Sequence, residues 1–81
     1  MANPRNRKKS PVRIAFGKIL RQRRLDLAFT QEELAERAGI HPTYLGSAER
    51  GERNVSIENI VALARALKCS PKDLFPEDPN L

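Results

Sequence analysis

A glycine in the middle of this 81-residue chain interrupts a good helix-forming sequence and constrains the fold more than any other feature. In the stretch AERAGIHPTYL, residues 35–45, one helix stops at Gly39 and another begins within four residues. Gly39 can adopt a positive φ at little cost, which lets the chain turn sharply. Pro42 presets the first turn of a new helix and makes His41 its N-cap. The stretch therefore predicts two short helices that cross steeply, the second over about residues 42–50.

Capping signals mark where the other helices begin. Each is a serine or threonine, and all but Ser56 are followed either by proline or, three residues later, by an acidic side chain. No strand-like alternation and no internal repeat accompanies them, and apolar residues recur at helical spacing. The sequence therefore predicts an all-α chain of five helices, and the starts outside the central stretch are Ser10-Pro11, Thr30 with Glu33, Ser56, and Ser70-Pro71 with Asp73.

The chain divides into one domain and two short ends. Residues 1–10 are basic and polar with almost nothing to bury, so we expect a disordered N-terminal arm. Residues 11–76 hold the predicted helices, and residues 77–81 form a short polar tail. Because the chain has no Trp, one Tyr and three Phe, the domain must build its core mainly from aliphatic side chains.

Basic residues are concentrated at one end of the molecule. The formal charge is +5, and nine Lys and Arg residues but no acid lie between positions 5 and 24. This asymmetry favours a polyanionic partner, with nucleic acid ahead of an anionic membrane. A solubilising tail explains the arm equally well, so DNA contact by the arm stays open for Arg5, Arg7, Lys8 and Lys9.

Several functional classes lack the residues that they need. One His, one Cys and no carboxylate pair beside them cannot be assembled into a nucleophile with its base or into a metal site. The four glycines are scattered, which argues against a phosphate-binding loop. We expect no catalysis, no metal and no cofactor. Without a membrane-length apolar run or a signal peptide, the chain is expected to be cytoplasmic.

The twenty residues QEELAERAGIHPTYLGSAER, Gln31 to Arg50, resemble the helix-turn-helix of phage repressor and Cro-type regulators. Extended through ERGERNVSIENIVALARAL, the pattern is similar to the small controller proteins of bacterial restriction-modification systems. The resemblance implies a compact five-helix bundle of the phage repressor-like type. It also implies that the third helix, about residues 42–50, enters the major groove of DNA.

The outer side of the third helix carries the candidate DNA contacts. By resemblance, these are positions from which family members touch bases or phosphates, and Arg53 and Asn54 lie where they hold the backbone. Arg50 could instead be a helix C-terminal cation, His41 only a cap, and Gln31 an ordinary first-turn residue rather than a phosphate ligand. The full set is Gln31, His41, Pro42, Thr43, Tyr44, Gly46, Ser47, Arg50, Arg53 and Asn54.

Two further predictions follow from the resemblance. Arg24 and Glu49 match a pair that fixes the first helix against the third, which is a scaffolding role. Family members commonly dimerise, and Leu67, Leu74 and Phe75 offer an apolar interface, although Leu74 and Phe75 could simply close the monomer core.

The combined prediction is a transcriptional regulator that binds specific double-stranded DNA as a homodimer on an inverted-repeat operator. The alternative is an antitoxin or another protein-interaction module with the same fold. RNA polymerase and a toxin are further partners that the resemblance leaves open.

Overall fold

The computed structural model describes residues 10–78, which form four α-helices followed by one short 3-10 helix and contain no strand. The all-helical prediction is confirmed, and the helices lie where the capping signals put them. Their bounds are Pro11–Asp26 for α1, Gln31–Ala38 for α2, Pro42–Glu49 for α3, Ile57–Ala66 for α4 and Pro71–Leu74 for the 3-10 helix.

The predicted fifth helix is a single 3-10 turn. Ser70 and Asp73 cap its start reciprocally, as the sequence indicates. Phe75 directly after it is extended, with φ −106° and ψ 146°, because it precedes Pro76 and a residue before proline avoids helical geometry. The fold is therefore four α-helices and a closing turn.

Helix α1 begins where the Ser10-Pro11 signal predicts. Ser10, the last residue of the predicted arm, is its N-cap, and the Ser10 hydroxyl lies at the long distance of 3.5 Å from the amide nitrogen of Arg13. The other nine residues of the predicted arm, and residues 79–81 of the predicted tail, lie outside the described part of the chain.

A capping box begins α2. The Glu33 amide donates to the Thr30 hydroxyl at 3.0 Å, and the Thr30 amide donates to the Glu33 carboxylate at 2.8 Å. The hydrogen bond from the Thr30 amide is also the main cause that lowers the pKa of the Glu33 carboxyl below its usual value. The start of α2 is therefore fixed by its own local sequence.

The turn between α2 and α3 has the predicted geometry. Gly39 ends α2 in the left-handed region with a φ of 72°. His41 Nδ1 then accepts a hydrogen bond of 3.0 Å from the Thr43 amide, and Pro42 occupies the first position of α3. The abrupt break in the sequence thus separates two helices and aims the second one differently from the first.

An aliphatic core joins the helices. Leu20, Leu34, Leu45 and Leu63 are fully buried, one from each α-helix, and Leu74 of the 3-10 helix closes the core beside them. In α4, Leu63 and Ala64 face the core, whereas the first residue, Ile57, is 78% exposed where the chain leaves the loop.

The backbones of α1 and α3 approach most closely at Gly17. A Cβ at this position would overlap the carbonyl oxygen of Glu49 and lie 2.6 Å from that of Ala48. Ala35 of α2 is also fully buried, but the sequence carries no signal for the contact at Gly17. The absence of a side chain at Gly17 lets α1 support α3 directly.

Among the described residues, no helix combines the length and the apolar character that a membrane span requires.

Candidate nucleic-acid interface

A buried ion pair fixes the C-terminal end of α3. Arg24 Nε donates to Glu49 Oε2 at 2.6 Å and Arg24 Nη2 donates to Glu49 Oε1 at 3.1 Å. The two side chains are only 9% and 3% exposed. Arg24 Nη1 also donates to the carbonyl oxygen of Phe29 at 2.8 Å. The structure thus brings the predicted pair together and ties α1, the following turn and α3 to one another.

Gln31 joins this network from the start of α2. Its Nε2 donates to Glu49 Oε1 at 3.0 Å, and the residue is half-buried. The amide is therefore oriented by a buried carboxylate before any ligand arrives. Glu49 thus holds Gln31 as well as Arg24, a link that sequence reasoning did not find because the two residues are 18 positions apart.

The exposed surface of α3 is smaller than its sequence pattern indicates. His41, Thr43 and Arg50 are exposed, whereas Pro42 and Tyr44 are half-buried. The inner side, with Leu45 and Ala48, faces the core. His41 uses Nδ1 as the helix cap, the alternative that its sequence context favoured.

Two of the predicted contact residues on α3 lie beneath other side chains. A Cβ at Gly46 would stand 3.3 Å from Arg50 Nη1 and 3.5 Å from Gln31 Oε1. Ser47 is 7% exposed, since its hydroxyl donates to the Tyr44 carbonyl oxygen at 2.7 Å and accepts from Arg53 Nε at 2.9 Å. In this conformation, a ligand on the outer side of α3 meets Arg50, Gln31 and Arg53 before it meets Gly46 or Ser47.

Arg53 folds back from the loop onto α3. Besides its hydrogen bond to Ser47, its guanidinium carbon lies 5.1 Å from the centre of the Tyr44 ring, in a cation–π contact. A loop residue thus adds a cation to the outer side of the helix. Asn54 is exposed next to it. The sequence places Arg53 near this helix by resemblance only, because its stacking depends on how the loop folds.

Arg50 is held differently, by a carboxylate. Arg50 Nε lies 3.1 Å from Glu52 Oε2 and Arg50 Nη2 lies 3.2 Å from Glu52 Oε1, so the pair is bidentate. The side chains are 57% and 43% exposed. Sequence reasoning overlooked Glu52. Its position two residues after an arginine at a helix end is the signal that could have identified it.

The three residues predicted for a dimer interface differ in exposure. Leu74 is fully buried and Leu67 is 4% exposed, because both contribute to the monomer core. Neither presents a surface to a second copy in this conformation. Phe75 is 40% exposed and packs one side of its ring on Phe16, with ring centres 5.4 Å apart. Phe75 is therefore the member of the predicted set that retains an outward surface.

No three His, Cys, Asp or Glu side chains of the described chain are grouped so that they could hold a metal ion. Cys69 is half-buried, and this burial raises the pKa of its thiol, which favours the unreactive protonated form. What the arrangement presents is a rigid short helix whose outer side carries arginines and amide groups.

Comparisons with known proteins agree with this geometry. A family model described as helix-turn-helix matches residues 20–74. The control protein C.BamHI of Bacillus amyloliquefaciens is 45% identical over 65 residues, which cover 79% of this chain and 80% of that protein. The crystal structure of the restriction-modification controller protein C.AhdI from Aeromonas hydrophila matches with a TM-score of 0.75 and 45% identity, over 76% of this chain and 94% of that one. The crystal structure of the c2 repressor of Salmonella phage P22 in complex with a synthetic operator matches with a TM-score of 0.72 and 35% identity. This match covers 78% of this chain and 96% of that one.

Proposed function

The chain belongs to the helix-turn-helix family, and from this premise we propose that it is a transcriptional regulator that binds specific double-stranded DNA as a homodimer. The similarity to control proteins of restriction-modification systems and to an operator-bound phage repressor supports a regulatory role on DNA rather than an enzymatic one. Such a role requires the compartment that holds the DNA, which is the cytoplasm in a bacterial cell.

The observation that carries the proposal is the rigid mounting of α3. The buried Arg24–Glu49 pair and the close approach at Gly17 fix the helix, while its outer side stays accessible and carries Arg50 and Arg53. A helix has the right diameter for the major groove, and a fixed helix loses little conformational entropy when it binds. This combination is suited to reading a duplex.

The side chains of α3 and the next loop then divide into two groups. Thr43 and Arg50 are the exposed side chains that can reach base edges, and Arg50 can contact a guanine with two hydrogen bonds. Gln31, Arg53 and Asn54 carry donors suited to DNA phosphates. Contacts of this kind orient the protein on the duplex. Ser47 and Gly46 act beneath this layer. Ser47 supports Arg53, and Gly46 leaves room for the side chains of Arg50 and Gln31.

His41, Pro42 and Tyr44 complete the proposed interface at the N-terminal half of α3. The exposed imidazole of His41 caps the helix with one nitrogen, and Pro42 has no side-chain donor. Tyr44 supports the guanidinium of Arg53 with its ring. Direct reading of bases therefore depends more on Thr43 and Arg50, with DNA shape as a further source of specificity.

Two copies are needed to read a site of useful length. A single α3 contacts only a few base pairs, so we propose a homodimer on an inverted repeat with half-sites about one helical turn, roughly 34 Å, apart. Residues 11–76 form the DNA-binding domain in this proposal, residues 1–10 are a basic arm that can follow the DNA, and residues 77–81 are a polar tail.

Selection of bound fragments from a random duplex library tests this proposal. We expect enrichment of one inverted repeat, and an affinity for it that falls steeply as salt rises, since phosphate contacts release counterions. Failure to enrich any duplex, combined with copurification of an unrelated protein such as a toxin, would instead identify a protein-interaction module. Copurification with RNA polymerase on the recovered site would identify an activator.

A further inference from the structure

The two arginines on the outer side of α3, Arg50 and Arg53, are held by groups of different charge. Arg53 is held by neutral groups, the Ser47 hydroxyl and the Tyr44 ring, so nothing in that contact offsets its positive charge. Arg50 is held by the carboxylate of Glu52 through two hydrogen bonds of 3.1 and 3.2 Å. The same helix therefore presents one arginine anchored by neutral groups and one paired with an internal anion.

The guanidinium of Arg50 lies on the side of α3 that faces a duplex in the proposed function. Its Nη1 would be 3.3 Å from a Cβ at Gly46, a position that also lies 3.5 Å from Gln31 Oε1. Arg50 therefore reaches back over the middle of the helix instead of extending from its end. Glu52, as its partner, brings a negative charge to the edge of the same surface.

DNA and Glu52 offer Arg50 the same chemistry. A carboxylate, a phosphate and the O6 and N7 atoms of guanine each present paired acceptors to the guanidinium fork. Because Glu52 is only two residues away and both side chains are about half exposed, the carboxylate is always nearby and can be exchanged readily.

We propose that Glu52 is an intramolecular competitor of DNA for Arg50. By occupying the guanidinium, it lowers the affinity of α3 for duplex DNA and so raises the protein concentration at which an operator is filled. The inference rests on the proposed DNA-binding function and adds a residue that sets affinity without itself contacting the DNA.

The test compares Glu52→Gln with Glu77→Gln, which removes the same charge from an exposed residue after the 3-10 helix. Binding is measured on the selected operator and on an unrelated duplex over a series of salt concentrations. We expect Glu52→Gln to tighten binding to the operator by about two- to fivefold, the range of an exposed ion pair, and to tighten binding to the unrelated duplex by less. The slope of log affinity against log salt should steepen by up to about one counterion. Glu77→Gln should change neither quantity appreciably.

The Arg50→Ala background separates competition from a general charge effect. If Glu52 acts through Arg50, Glu52→Gln loses its effect when the arginine is absent. A gain that persists in Arg50→Ala, or that Glu77→Gln reproduces, would refute competition. Weaker binding of Glu52→Gln at an unchanged melting temperature would also refute it, since Glu52 would then orient Arg50 for DNA. Absence of duplex binding by the unaltered protein would refute the proposed function itself.

Discussion

Three arginines contact the ends or the outer side of α3 in three different surroundings. Arg24 is 7% exposed and bonded to a buried carboxylate, Arg50 is paired with an exposed one, and Arg53 rests on a hydroxyl and an aromatic ring. Removing one partner of a buried ion pair strongly destabilises a protein, because the other charge remains buried without compensation. The surroundings of these arginines therefore suit Arg24 to a scaffolding role, and suit Arg50 and Arg53 to the proposed DNA contacts.

Replacing Arg50 tests its assignment as a base contact. We expect Arg50→Ala to weaken binding to the selected operator by about 1–3 kcal/mol, with a smaller loss on an unrelated duplex. The reason is that a guanine contact exists only on the correct sequence. Titration of both duplexes with the variant measures the two losses. Equal losses on the two duplexes would reassign Arg50 to a phosphate.

The chemistry of the site residues was predictable from the sequence more fully than their accessibility. The turn at Gly39, the cap at His41 and the inward direction of Leu45 all depend on local sequence or helical spacing, and all are present. The covering of Ser47 depends on a loop arginine six residues further along. Such a contact requires knowledge of how the loop folds, which spacing along the chain does not supply.

The ends of the helices could be predicted from the sequence more closely than the contacts between helices. The ends are set by side chains within three or four residues, as in the capping box of Thr30 and Glu33, so the sequence predicts them closely. The approach of α1 to α3 at Gly17 joins residues more than thirty positions apart, and a lone glycine in a helix carries no signal of its partner. The 3-10 turn likewise differs from the prediction because Pro76 limits its length.

Gly17→Ala tests the contact between these two helices. In an open helix this change stabilises by about 0.5–1 kcal/mol. At Gly17 the new Cβ meets the backbone of α3, which cannot yield without moving the helix, so we expect a net loss of about 1–3 kcal/mol in the free energy of unfolding. Urea unfolding measures the change.

Gly46→Ala is the matched control for that experiment, since it is also a glycine within a helix. Its Cβ would meet only the ends of the flexible Arg50 and Gln31 side chains, so its stability should be retained or raised. A stability loss of the same size in both variants would show that the close approach of α1 and α3 is not the cause.

At the scale of the whole molecule, the surface around Phe75 bears on the proposed dimer. Phe75 and Val12 are both about 40% exposed and border the same groove. The groove is lined by apolar residues, which are Val12, Phe16, Val55, Ile60 and Phe75, and by the polar residues Arg13, Arg53 and Asn54. Of the three residues predicted for the interface, Leu67 and Leu74 are already used by the monomer core. A homodimer would therefore be expected to bury the surface around Phe75, next to the end of the core.

Phe75→Ser tests this placement, with Leu25→Ser as a control of similar exposure, 44%, on α1. In sedimentation experiments we expect the unaltered protein at twice the chain mass of 9.2 kDa and Phe75→Ser largely at the monomer mass. Affinity for the full inverted repeat should then fall by roughly 10²-fold toward that of a half-site, because the second contact is no longer intramolecular. Both variants are compared below their melting temperatures, since Phe75 also packs on Phe16. Dissociation caused equally by Leu25→Ser would place the interface on α1 instead, and a monomeric unaltered protein would refute the homodimer.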